Sequence, residues 1–139
     1  MDVRDITGTW DYGTLPPVLC RPQQINQVFM NLVINACQAT PHDGTLHIRT
    51  RADGEHASVT ITDTGSGIPA ELQARIFEPG FTTKNGRVGM GMGLLISRQI
   101  VEAHGGTIAV QSEPGRGSEF TVRIPVAPAA LQRQTVNQP

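Results

Sequence analysis

Three stretches of this 139-residue chain carry side chains whose types and spacing could do chemistry. The first is Asp63-Thr64-Gly65-Ser66-Gly67-Ile68-Pro69. An ionised Asp accepts hydrogen bonds and donates none. Burying it is costly unless donors face it. Gly65 and Gly67 open positive φ to the backbone and let a ligand approach with no Cβ in the way. An acceptor beside such a turn suits an exocyclic amine on a planar ring, adenine N6 for example. The bland alternative is that Asp63 starts a tight turn and caps a helix near Ile68.

The second stretch is a line of amides. Gln27, Asn31, Asn35 and Gln38 recur at helical spacing, and Asn31 and Asn35, four apart, stack on one face. An Asn carbonyl oxygen can ligate a hard cation such as Mg²⁺. The alternative is that the amides bond a neighbouring loop. The third stretch is Gly89-Met90-Gly91-Met92-Gly93-Leu94, with Lys84 and Arg87 just ahead of it. Free N–H groups and the positive end of a helix make such a start a natural phosphate site. It is neither GxGxxG nor a Walker A loop, because Leu94 follows and no Gly-Lys-Ser/Thr does.

Elements must hold these stretches. Residues 57–62 alternate with period two and carry β-branched side chains, so they predict a strand. Val59 and Ile61 claim one face for the core, and Asp63 falls on that same face. Residues 45–51 predict the partner strand of a hairpin, turning at Asp53-Gly54. Pro22 suits a helix start and Pro41 a helix stop. Between them Ile25, Val28, Phe29, Leu32, Val33 and Ala36 form a core stripe, with Met30, Ile34 and Cys37 making the other side apolar too. A short helical piece is expected at 70–75. A longer helix is expected from about Gly91 to His104, burying Met92, Leu95, Ile96, Ile100 and Ala103 and ending at Gly105-Gly106. Residues 107–112 and 118–124 predict a last hairpin. Residues 3–7 and 9–12 suit a short edge strand. The tail, 126–139, lacks periodicity and is expected to be disordered.

Composition narrows the class. Hydrophobic residues are 38% and charged residues 17%, which suits one globular domain at 1–125. A formal net charge of -1 gives no basic excess for nucleic acid or a membrane surface. No apolar run approaches the roughly 18 residues of a spanning helix. Cys20 and Cys37 lack CxxC spacing and are expected to be reduced core residues of a cytoplasmic protein. The four histidines show no metal-ligand spacing.

Order and spacing together go further than any single stretch. An Asn-bearing helix (27–39) precedes Asp-x-Gly-x-Gly (63–69). Then come Phe-x-Pro-x-Phe (77–81) and Gly-x-Gly-x-Gly-Leu (89–94). This arrangement resembles the catalytic ATP-binding domain of sensor histidine kinases over about residues 15–125. The run Phe-Glu-Pro-Gly-Phe-Thr-Thr-Lys looks most like the nitrogen-sensor type. The resemblance implies the Bergerat fold, an α/β two-layer sandwich with a mixed sheet, about three helices on one face and a flexible lid. It implies ATP and Mg²⁺ as cofactors. Asn35 would coordinate Mg²⁺, with Asn31 close to the phosphates and Gln38 at a further phosphate position. Asp63 would accept from adenine N6, with Gly65, Gly67, Ile68 and Ser118 around the base. Phe77 and Phe81 would anchor a lid at about 79–92. Lys84 and Arg87 are its candidate phosphate contacts or, alternatively, solvated lid charges. Gly89, Met90, Gly91, Met92, Gly93 and Leu94 would close over the phosphates. The partners implied are an upstream helical dimerisation and histidine-acceptor domain and a downstream response regulator.

Departures are visible too. The family's usual first helix and its acceptor hairpin lie outside the matched stretch, and His42, His47, His56 and His104 do not match the acceptor pattern. Gln38 stands where many relatives carry a basic residue, Ser118 stands for the usual Thr, and Gly80 interrupts the Phe box. ATP-hydrolysing relatives such as gyrase and the heat-shock chaperones use a Glu one turn before the Mg²⁺ Asn, where this chain has Asn31. An anti-sigma serine kinase of the same fold is a further alternative. Asp-Thr-Gly-Ser also resembles the aspartic-protease signature. That enzyme needs a second such motif or a homodimer, and it leaves the amides and the Gly-rich stretch unexplained.

Overall fold

The computed structural model describes residues 7–13, 18, 20–40, 44–78 and 88–126. Five strands form one mixed sheet in the order β1-β2-β3-β5-β4. They are β1 (Thr7–Tyr12), β2 (Thr45–Asp53), β3 (His56–Asp63), β4 (Thr107–Glu113) and β5 (Gly117–Pro125). Only the β1–β2 pairing is parallel. The helices are α1 (Pro22–Ala39), α2 (Ala70–Gln73) and α3 (Val88–Ala103).

Side-chain alternation decides which sheet face is covered. Leu46, Ile61, Phe120, Val122 and Ile124 are buried and join Ile25, Val28 and Leu32 of α1 and Leu94 and Val101 of α3 in one core. The opposite sheet face is polar. There Thr60 meets Thr121 and Thr62 donates to Glu119. This is the expected two-layer α/β arrangement. Pro22 sits in the first turn of α1, where its missing N–H costs nothing. At the other end the Thr40 hydroxyl donates to the Ala36 carbonyl at 2.6 Å.

The structure corrects several expectations. The α3 helix begins at Val88, so the last residues assigned to a lid form its first turn. Among its described side chains, Leu94, Ser97 and Val101 are buried; Leu95, Ile96 and Ile100 are half-buried and Ala103 is exposed. The side chain of Met92 is outside the described set. Met30 and Ile34 of α1 are 60% and 47% exposed, so the described residues leave that apolar side open. Cys20 is exposed, which removes it from the core list, whereas Cys37 is half-buried and packs against the core. Helix α2 is one turn, shorter than 70–75. Val126 belongs to the fold, since its N–H donates to the Glu55 carbonyl at 2.8 Å. Residues 1–6 and 14–17, Pro41 and the stretch from 127 on are outside the described residues. Among the described residues, no helix is long and apolar enough to cross a membrane.

Candidate functional site

Asp63 ends β3, between Leu46 of β2 and Ser118 of β5. Its place in the core-facing row leaves it 3% exposed. The Gly65 N–H donates to Oδ1 at 2.8 Å. Burial pushes the carboxyl above the usual carboxylate range, and the N–H groups of Gly65 and Ser118 pull it back down. The Asx turn of the bland reading is therefore present, but no helix starts at Ile68; α2 starts later, at Ala70.

The two glycines of the loop are needed for different reasons. Gly65 does not have positive φ. A Cβ there would lie 2.2 Å from the Ala39 carbonyl oxygen, so the close approach of α1 is what demands glycine. Gly67 has φ of 74°, and a Cβ there would lie 2.1 Å from the Glu113 carbonyl oxygen. Ser66 N–H donates to Ala39 O at 3.3 Å, and Gly115 N–H to Ser66 O at 2.7 Å. The loop is thus wedged between the end of α1 and the β4–β5 turn.

Residues that pattern reading passed over fasten it further. Ser112 Oγ accepts from the Ile68 N–H at 2.7 Å and donates to Gly117 O at 2.8 Å. It lies 2.9 Å from Ser118 Oγ. Gln73 Nε2 donates to both Ile68 O and Ser112 O, at 2.9 and 2.8 Å. The available signal was positional only: both are polar residues beside predicted apolar rows.

The amide line runs along α1 from this loop to α3. Asn31 Nδ2 donates to Gly93 O at 3.4 Å and to Ser97 Oγ at 3.3 Å. The fully buried Ser97 was not foreseen, although it is polar at a core-facing position. Asn35 is 8% exposed, and its Oδ1 is buried with no hydrogen-bond partner among the described residues. Gln27 and Gln38 are exposed. From Asn31 at α3 to Ala39 at the loop is about 12 Å along the helix axis. That length would suit an extended ligand, with the Asp63 loop at one end and the Gly93–Ser97 stretch of α3 at the other.

The remaining predicted residues divide. Phe77 is half-buried against the core, with the Arg98 guanidinium 5.5 Å from its ring centroid. Leu94 is 4% exposed and belongs to the core, where it holds α3 down. Gly93 lies inside α3, where a Cβ would meet Asn31 at an ordinary 3.6 Å. Gly89, Met90, Gly91 and Met92 lie in the first turn of α3. Phe81, Lys84 and Arg87 lie outside the described residues, as does most of the proposed lid.

Residues 20–128 match the family described as histidine kinase-, DNA gyrase B- and HSP90-like ATPases. The chain belongs to this family. Its members include the sensor histidine kinase ZraS of Escherichia coli K12, 42% identical over 113 residues, which cover 81% of this chain and 24% of that protein. Sporulation kinase E of Bacillus subtilis is 37% identical over 86% of this chain and 16% of its own length. The chain thus spans about a quarter or less of these relatives. Among solved structures, the catalytic domain of histidine kinase ThkA superposes with a TM-score of 0.78 at 34% identity. The match covers 89% of this chain and 82% of that one. Full-length ShkA in complex with AMPPNP superposes equally well at 31% identity, covering 89% of this chain and 26% of its own. Homology to histidine kinase catalytic domains makes ATP the ligand of this fold.

Proposed function

We propose that the chain is the ATP-binding catalytic domain of a sensor histidine kinase. It would move the ATP γ-phosphoryl group to a histidine on a separate helical dimerisation domain, with a response regulator as the later acceptor. One observation carries the choice of kinase over hydrolase. Helix α1 sets two amides, Asn31 and Asn35, along the face between the Asp63 loop and α3, and it contains no Asp or Glu. An amide cannot deprotonate water. A histidine acceptor brings its own nucleophile and needs positioning and charge stabilisation instead.

In this reading Asp63 accepts from the adenine amine, and Gly65, Gly67 and Ile68 let the ring lie against bare backbone. Ser118 sits beside the base. The N–H groups at the start of α3 face the phosphates, with Lys84, Arg87, Gln38 and the Phe77–Phe81 segment around them. Asn35 Oδ1 fits a hard cation, because it is a buried oxygen with no hydrogen bond to lose. Mg²⁺ bound there with ATP supplies neutralisation of the phosphate charge. Asn31, already bonded to α3, fixes the helix pair that bears these groups.

Radiolabelled ATP supplied to the isolated chain tests the proposal. The chain should bind ATP, hydrolyse it very slowly and remain unlabelled. A cognate acceptor hairpin added in trans should become labelled, slowly for want of tethering. Brisk hydrolysis by the chain alone, abolished by Asn35→Ala, would move it to the ATP-hydrolysing branch of the family.

A further inference from the structure

A serine hydroxyl has one proton to give and can accept twice. At Ser112 all three capacities are filled. The contact to the Gly117 carbonyl, 2.8 Å, is one that only the Ser112 proton can make, since a carbonyl oxygen only accepts. The Ile68 N–H occupies one lone pair at 2.7 Å. The remaining contact, Ser118 Oγ at 2.9 Å, must then receive its proton from Ser118. Reversing that bond would leave two bare oxygens facing each other at Gly117. The proton of Ser118 is therefore spent on Ser112, and Ser118 turns only lone pairs toward its surroundings.

Ser118 is the cross-strand partner of Asp63 and, like it, is buried. Asp63 is acceptor-only when ionised. The two side chains together make a wall of acceptors. A purine with a 6-amino group donates to such a wall. A purine with a 6-oxo group sets an oxygen against it, and an unmade or repulsive polar contact in a buried place is costly.

We propose that Ser112 is a specificity-determining positioning residue. By consuming the Ser118 proton, it makes the base site reject 6-oxo purines. Gln73, through its bonds to Ile68 O and Ser112 O, keeps Ser112 in register with the loop. The inference rests on the adenine-site reading of Asp63 given above, and it adds a residue that itself need not touch the nucleotide.

Calorimetric titration of the whole chain with ATP and with inosine triphosphate, both with Mg²⁺, tests it through a ratio of dissociation constants. Wild type should prefer ATP. In Ser112→Ala the freed Ser118 hydroxyl can rotate and donate to a 6-oxo oxygen. The preference for ATP should then fall by about two- to tenfold, the worth of one neutral hydrogen bond. Ser112→Thr, which keeps the hydroxyl, should keep the preference. Ser112→Cys, a weak donor of similar size, should move it in the same direction as Ala and serves where Ala does not fold. A purely structural role would weaken both nucleotides alike and leave the ratio fixed. An unchanged ratio in folded Ser112→Ala or Ser112→Cys overturns the inference and leaves the adenine site standing. A wild-type chain that binds both nucleotides equally, or neither, overturns the base-site assignment itself.

Discussion

The two ends of the α1 face are held in opposite ways. At the Asp63 end, the loop 63–69 is stitched to β4, to the β4–β5 turn and to α2 by bonds of 2.7 to 2.9 Å. Beyond it, toward α3, Asn31 reaches Gly93 and Ser97 at 3.4 and 3.3 Å, and Asn35 Oδ1, midway along the face, has no hydrogen-bond partner among the described residues. One end is preorganised, which lowers the ordering cost of binding. The other keeps polar capacity in reserve for whatever arrives. A ligand with one constant moiety and one reacting moiety wants this division. A base can be met by a rigid wall, whereas phosphates gain most from groups that are not already committed.

Four measurements can break or sharpen that contrast. The largest effect is expected where the rigid end is struck. Gly67→Ala forces a Cβ into left-handed backbone and against the Glu113 carbonyl. It should cost roughly 3–5 kcal/mol in denaturant unfolding and abolish ATP binding. A loss under about 1 kcal/mol would mean that the loop is not rigid.

Asn35→Ala strikes the uncommitted stretch of the face. The helix should be unharmed, because Ala favours helix and Oδ1 has no bond to lose. Phosphoryl transfer to the acceptor hairpin should fall on the order of 100-fold, as when a metal site loses a partner, while adenosine binding stays put. Equal losses in transfer and adenosine binding would erase the division between the ends.

Asp63→Asn turns an acceptor into a donor, and ATP binding should weaken by about 1–3 kcal/mol, read by calorimetry. The buried carboxyl also carries a pH signature. Its folded pKa is raised, so the folded domain holds this proton more tightly than the unfolded chain does. Stability from that proton is present below the unfolded value and is lost as pH rises through the raised one. ATP affinity should rise across the same window, because the ionised form is the acceptor. Both slopes should vanish in Asp63→Asn, and a slope that survives there belongs to another group.

The smallest effect should come from Gly93→Ala. The site has room for a Cβ at 3.6 Å from Asn31. Relief of a helical glycine is worth up to about 1 kcal/mol, so the melting temperature should hold or rise slightly. A large loss would show that the α3 end is packed as tightly as the loop.

Periodicity made much of this legible. The period-two row through Val59 and Ile61 put Asp63 on the covered face, and the helical repeat put Asn31 and Asn35 on one line. What stayed hidden was polar residues whose partners are distant in sequence. Ser97 lies on the buried face of α3 only because Asn31 satisfies it, and a hydropathy pattern passes over a serine; the expected face accordingly rotated to Leu95, Ile96 and Ala103. Cys20 looked like core because its neighbours are apolar, yet it precedes the start of α1 and is exposed. Gly65 was ascribed to unusual backbone, whereas the approach of Ala39 requires it. The signal for that lies 26 residues away and in three dimensions.

The fastening of the Asp63 loop also sets an order of assembly. Ile68 finds its acceptor on Ser112, 44 residues later, and the Asp63 carboxylate finds Ser118 only when β5 has paired with β3. Contacts of such separation form late, because the intervening chain must first be closed. As the chain is synthesised, the motif most telling in the sequence emerges well before the strands that make it a site. The β4–β5 hairpin, which emerges after it, is thus the element that turns Asp63 from a costly buried charge into a binding group.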